Sequence, residues 1–309
     1  MTLTMKLWRL LRQPPMRGHA LYRRLVNVET PPFYFSIDRR IGWLLLLLLV
    51  LYVTLRFGVL SFLLMIFVVP TLGVVLFLIL PLLLPPITAL LGGLWAARIS
   101  GRVVRERDAH TYDLLCIAPA GPLGANWAIA SASLHQGDAF VALRFGMTVA
   151  LALGGGFAGI MALVVLFMLT QAAPPETIII ALRTTIDLLA ILLIFWIHYI
   201  QSLVLSTLVG MAVPTLFEHR VDASLLAFAL YEALQLATYL LLWMMYVLLA
   251  PVLDSLVPAD GLTYIALPLA YAGAFVLLRE LVILRLWQFV ISRLNAGDSE
   301  RDVFIRASG

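Results

Sequence analysis

Apolar residues in this chain run in long unbroken blocks, not in the alternation of half-buried strands or the stripes of surface helices. The first block extends from Ile41 to Ala97 and is interrupted by one charge, Arg56. It holds two helices of roughly 25 residues, enough to cross a hydrocarbon layer about 30 Å thick. The pattern predicts spans over 41–66 and 70–98, with Pro70 opening the second, where a missing N–H is tolerated. Pro81, Pro85 and Pro86 then fall inside that second span and are expected to kink it. Later blocks predict spans over 141–170, 179–217, 224–253 and 262–288. Turn-like breaks at Ala173–Glu176, Glu218–Asp222 and Pro258–Gly261 separate them. The predicted fold class is all-α: a polytopic helical membrane protein with six transmembrane helices filling 41–290, one domain without an internal repeat.

Basic residues orient these spans. They cluster in 1–40 (Lys6 through Arg40), in 98–107 (Arg98, Arg102, Arg105, Arg107) and from Arg279 to Arg306, with Arg220 in one turn. The connections at 171–177 and 251–261 carry acidic residues and no basic ones. Six spans with both termini cytoplasmic put every basic cluster inside, the arrangement that favours insertion. Splitting 41–97 into three spans would put Arg98–Arg107 on the opposite side from the N-terminal cluster. Arg56 is therefore read as snorkelling near the end of a long first helix.

Composition agrees. Of 309 residues, 62% are apolar and 12% are charged, against about 45–50% and about 25% in soluble domains. Mean hydropathy is +1.01. The hydrophilic stretches 1–40, 99–138 and 286–309 are each shorter than a small domain of roughly 50 residues. The single cysteine, Cys116, excludes an intrachain disulfide and a multi-cysteine metal cluster. The first residues carry no apolar run of the signal-peptide kind; Pro14 and Pro15 follow a short basic piece. That piece, with Leu3, Leu7, Leu10 and Leu11 on one side, is expected to be an amphipathic helix lying on the membrane surface, as an anchor to anionic lipid or as a lever. Residues 291–309 form a cytoplasmic tail.

The loop between the second and third spans is the longest. Its start continues the second span as a charged helix, and Asp108 and Thr111 are expected to cap a short helix bearing Leu114, Leu115 and Ile117. Such a helix suits either an interfacial position or docking into a groove of a soluble partner. The stretch Glu106-Arg107-Asp108-Ala109-His110-Thr111-Tyr112-Asp113-Leu114-Leu115-Cys116-Ile117-Ala118-Pro119 resembles the pattern E-R-x-x-G-T-x-x-x-L-x-x-x-P that ABC-2 type permeases carry after their second span. It departs at the glycine, where this chain has His110, and lacks the lysine-containing stretch that often follows. The layout of amphipathic N-terminal helix, six spans and this loop also resembles that family. The resemblance implies a transmembrane subunit of an ABC exporter, paired with an identical or homologous second permease. It implies that Arg105, Glu106, Arg107, Thr111, Leu114, Leu115 and Pro119 contact a separate ATPase subunit. Independently, a P-loop needs a lysine after a glycine-rich run, and the one lysine here, Lys6, has none before it. Any ATP and magnesium would then be held by another chain. No cofactor or metal in this chain, no catalytic residue and no nucleic-acid partner are expected.

Ionisable residues inside spans are functional candidates, because each costs about 2.5–3.5 kcal/mol at mid-membrane on insertion scales. Arg183 and Asp187 are spaced to pair, and His198, Gln201, Ser202 and Ser206 continue a polar stripe from Asp187. The stripe is read either as lining a translocation path or subunit interface, or as a headgroup-level pair plus a histidine satisfied by its neighbours. Glu232 and Gln235 share a face of the fifth span and are candidates for the same path or interface, or for interhelical hydrogen bonding alone. Arg279, Glu280 and Arg285 are expected to anchor the inner end of the sixth, and Gly154, Gly155, Gly156 and Gly159 to permit close helix packing. The alternative function is a structural or cofactor-holding membrane subunit of an energy-transducing complex. An intramembrane hydrolase would rest on His198 with Ser202 alone.

Overall fold

A computed structural model describes residues 2–12, 22, 52, 85–112, 116, 121–136, 139–170, 174–217, 219–256 and 261–297. Regular structure among them is helical, with no strand. The chain divides into Met1–Val28 with Leu84–Gly309 and, separately, Glu29–Leu83. Of the second unit only Tyr52 is described, so the expected span 41–66 and most of the approach to 85 lie outside the described residues.

The first unit comprises α1 (Leu3–Arg12), α2 (Pro85–Asp108), α3 (Gly121–His135), α4 (Ala139–Thr170), α5 (Pro175–Ala212) continued by a 3-10 turn at Val213–Thr215, α6 (Arg220–Leu256) and α7 (Gly261–Arg293). Among the described residues, four helical stretches are long and apolar enough to cross a membrane: Pro85–Asp108, Phe140–Thr170, Glu176–Thr215 and Arg220–Met245. The α7 helix covers the sixth expected span. Pro85 and Pro86 stand in the first described turn of α2, and Thr88 Oγ1 donates to the Pro85 carbonyl at 2.9 Å.

Helix α5 is the axis of the unit. Its 38 residues make it roughly 57 Å long, nearly twice the hydrocarbon thickness. Its first half exposes Ile180, Leu189 and Leu193, whereas Leu203 to Val213 is buried throughout. The exposed half presents the apolar surface a bilayer requires, as do Phe145, Leu163 and Phe167 on α4. The buried half packs against α1, α2, α3 and α7.

Two elements of this packed half differ from expectation. The N-terminal helix does not lay its apolar side on lipid. Leu7, Leu10 and Leu11 are fully buried, and Trp8 stacks edge-on against Phe140 and Tyr199 at 6.3 and 5.7 Å. Thr4 N–H donates to Glu280 Oε1 at 3.1 Å, and Thr4 Oγ1 also bonds that carboxylate, tying α1 to α7. Apolar surface that finds a protein partner has no need of lipid. The loop 99–138 also contains α3, a 15-residue helix buried from Leu123 to Leu134. It is rich in Ala, Ser and Gly on all sides, so neighbouring helices can approach closely and no single face is polar. At roughly 22 Å it is too short to cross a bilayer. Trp127 of α3 meets Trp287 of α7 at 6.3 Å, and Asn126 Nδ2 donates to the Tyr112 hydroxyl at 2.6 Å.

Glycines mark the closest crossings among the described residues, and three of the four singled out on α4 are not at them. A Cβ at Gly155, Gly156 or Gly159 on α4 would meet nothing among the described residues, so these three do not serve close packing there. A Cβ at Gly92 would overlap the Tyr231 ring of α6, and one at Gly210 would lie 2.8 Å from Ile99 Cβ.

Candidate functional site

Four helices meet at a buried polar network around His198 and Arg279. His198 on α5 is 4% exposed and Arg279 on α7 is 2% exposed. The Arg279 guanidinium donates through Nη1 to His198 Nδ1 and through Nη2 to Ser202 Oγ, the latter at 3.0 Å. On the other side of the imidazole, Nε2 lies 3.2 Å from Thr88 Oγ1 of α2 and 3.1 Å from the Tyr239 hydroxyl of α6. Gln235 Nε2 donates to Ser202 Oγ at 3.2 Å and to Tyr231 OH at 2.6 Å. Gln201 Nε2 donates to the Val276 carbonyl at 3.2 Å, and Ser206 Oγ to the Gly92 carbonyl at 2.6 Å. The Arg279 guanidinium also sits 5.4 Å from the Phe275 ring centre.

The proton positions follow from the donors. Arginine has no acceptor, so His198 Nδ1 must carry the lone pair and Nε2 the proton. Thr88 gives its hydroxyl proton to Pro85, so its oxygen can accept from Nε2–H. His198 therefore acts here as a neutral connector between α2, α6 and α7. Its Nδ1 lone pair is already engaged and Ser202 Oγ lies 3.5 Å away, so it cannot serve as a base towards that hydroxyl. Among the described residues Arg279 has no carboxylate partner, and its Nε has no acceptor.

Of the residues singled out in the sequence, His198, Gln201, Ser202 and Ser206 on α5 and Gln235 on α6 lie in or beside this network, although the stripe on α5 was not joined to Gln235 in the sequence. Arg279, read as an interfacial anchor, is instead the most buried cation among the described residues. Thr88, Tyr231 and Tyr239 were missed, since one hydroxyl in an apolar helix carries no signal by itself. Asp187 is not part of the network. It pairs with Arg183 at 3.7 Å with both side chains well exposed. Asp187 and His198 share a helix face, but α5 passes from open surface into the packed half between them. Glu232 is adjacent without joining: its Oε1 is buried without a hydrogen-bond partner, and a Cβ at Gly93 would lie 2.6 Å from it.

The second cluster is the corner that ends α2. His110 N–H donates to the Arg107 carbonyl at 2.9 Å and Thr111 N–H to the Glu106 carbonyl at 3.2 Å, while His110 adopts φ 52°. This is a Schellman cap, whose left-handed residue favours glycine. Thr111 Oγ1 donates to the Glu106 carboxylate at 2.6 Å, and the Arg107 guanidinium donates to the Pro214 carbonyl at the end of α5. Arg107 also lies 4.9 Å over the Tyr112 ring. Of the loop residues singled out in the sequence, Glu106 is buried and Arg107 and Thr111 are half-buried, building the corner. Arg105 is exposed, as are Asp108, Ala109 and His110. Leu114, Leu115 and Pro119 lie outside the described residues.

Comparison with protein-family models, curated proteins and solved structures finds no match.

Proposed function

We propose that this chain is the transmembrane permease subunit of an ATP-driven exporter of the ABC-2 type. In this reading it has six spans, with both termini on the cytoplasmic side of the cell membrane. A separate nucleotide-binding subunit holds ATP and magnesium, and a second permease, identical or homologous, completes the path. The supporting observation is the corner at Glu106–Thr111. The glycine of the resembled pattern falls on His110, the one position of that turn with a left-handed backbone. The threonine of the pattern falls on the residue that closes the cap onto Glu106. The pattern thus reads as the sequence of a helix-ending cap, and this chain forms that cap without the glycine.

The same corner is linked to the spans. Arg107 grips Pro214 at the foot of α5, and α5 carries His198 into the network shared with α2, α6 and α7. A partner pressing on the exposed tip at Asp108–His110 would move α2 and α5 together. The test uses the tagged full-length chain purified from its own membranes. An ATPase chain should co-purify, and Glu106→Ala with Thr111→Val should reduce the retained ATPase several-fold while Asp187→Asn does not. Recovery of a chromophore and no ATPase would overturn this reading in favour of a cofactor-holding membrane subunit.

A further inference from the structure

Near the end of α2, Arg98, Arg102 and Arg105 recur at helical spacing and face Arg220 and Ser224 at the start of α6 across a half-open cleft of about 270 Å³. Its floor is Gly101, where a Cβ would lie 2.5 Å from Ser224 Oγ, so the two helices cross at close range there. Among the described residues Arg98, Arg105 and Arg220 have no hydrogen bond or ion pair, and all three are exposed. Arg102 spends one donor on Ser133 Oγ at 3.1 Å. Arg98 and Arg105 oppose its charge, and the carboxylate that offsets them, Glu106, is bonded to Thr111. Four guanidiniums converging on one cleft repel each other and present forked donors matched to phosphate oxygens.

The surroundings indicate where that phosphate comes from. The exposed face of α2 carries Ile87, Leu90 and Leu94 directly above Arg98. On α6, the exposed Val221 and Leu225 follow Arg220 and Ser224. Both stretches are apolar enough to span a membrane, and the cleft lies where the exposed apolar surface of each gives way to arginine. A ligand seated there meets cations at one end and open leucines at the other, which is the profile of an anionic phospholipid. Basic pockets between helices at the membrane edge are suited to such headgroups.

We propose that this cleft is a specific site for the phosphate of an anionic phospholipid, held by Arg98, Arg102, Arg105 and Arg220 with its acyl chains along Leu90, Leu94 and Leu225. The site involves only this chain, so it is tested without any partner. The full-length protein is reconstituted in phosphatidylcholine nanodiscs doped with phosphatidylglycerol, and retained lipid is counted by native mass spectrometry. The expected result is saturable retention of phosphatidylglycerol over phosphatidylcholine. Arg98→Gln, Arg105→Gln and Arg220→Gln combined should weaken it about tenfold or more, and Arg285→Gln, an exposed arginine elsewhere on α7, should not. If the triple variant does not fold, Arg105→Gln alone should weaken retention measurably. Equal retention in the folded variant and the wild type would overturn the proposal. So would saturable binding of inorganic phosphate with no preference for the charged lipid, which would make the cleft a site for a soluble anion.

Discussion

Replacing His198 by leucine is expected to destabilise the protein far more than replacing Arg279 by methionine, although Arg279 bears the charge. His198 takes part in close polar contacts with Thr88, Tyr239 and Arg279. Interhelical hydrogen bonds in membranes average about 0.6 kcal/mol and reach about 1.7, so their loss alone amounts to roughly 2 kcal/mol. The leucine also strands part of a buried guanidinium, which raises the total to about 2–4 kcal/mol. Arg279→Met gives up two hydrogen bonds, worth about 1.2 to 3.4 kcal/mol on the same scale. It also removes a charge whose burial costs about 2.5–3.5 kcal/mol. The two nearly cancel, leaving a change between a destabilisation of about 1 kcal/mol and a stabilisation of about 2 kcal/mol. In the double variant the stranded charge is gone, and at least about 1 kcal/mol of the His198→Leu loss should return, about fivefold in the unfolding constant. Reversible unfolding in mixed micelles, followed through the buried Trp95, Trp127 and Trp287, measures all three. If Arg279→Met proves the more damaging change and the double variant shows no rescue, Arg279 is not a buried cation held by a neutral histidine.

The Schellman cap at His110 gives a second expectation: His110→Gly removes the side-chain penalty of the left-handed backbone and should raise stability by roughly 0.5–1 kcal/mol, seen as a higher melting temperature. A decrease would mean that the His110 side chain contributes to the corner. Gly92→Ala forces Tyr231 off the α2–α6 crossing and should cost about 1–3 kcal/mol, whereas Gly156→Ala on α4 meets nothing and should be neutral or mildly stabilising by helix propensity. Burial pushes the Tyr112 phenol above its ordinary value, so the fold favours the neutral form. That stabilisation is complete below about pH 10 and is lost as pH rises through the raised value. Wild type minus Tyr112→Phe, compared by melting at pH 8 and pH 10.5, should show this loss, and parallel melting of the two proteins would refute it.

The long helices were legible because continuous apolar blocks leave no other arrangement. The predicted spans 141–170, 179–217, 224–253 and 262–288 fall on α4, α5, α6 and α7 within a few residues at most ends. Helix α3 was not legible. Its run of Ala, Ser and Gly offers neither a stripe nor a long apolar block, and its burial comes from neighbours that sequence periodicity does not reveal. The N-terminal helix was found, but its partner was not, since an apolar face has the same pattern whether it meets lipid or protein. Arg279 was misread for a related reason. An arginine near a helix end normally snorkels, and only the meeting of α2, α5, α6 and α7 shows that donors and acceptors await it inside. The cap at His110 was visible as a pattern lacking its glycine, and the backbone supplied the physical meaning of that position.

In the proposed function the tip of the α2 corner is where a separate ATPase takes hold. A photo-crosslinking amino acid placed at Ala109, which is exposed and makes no side-chain bond, tests it most directly in intact membranes. One dominant adduct is expected, to a chain bearing a P-loop, and it is lost when Glu106→Ala and Thr111→Val loosen the cap. Adducts to lipid alone, or to a protein without a P-loop, would contradict it.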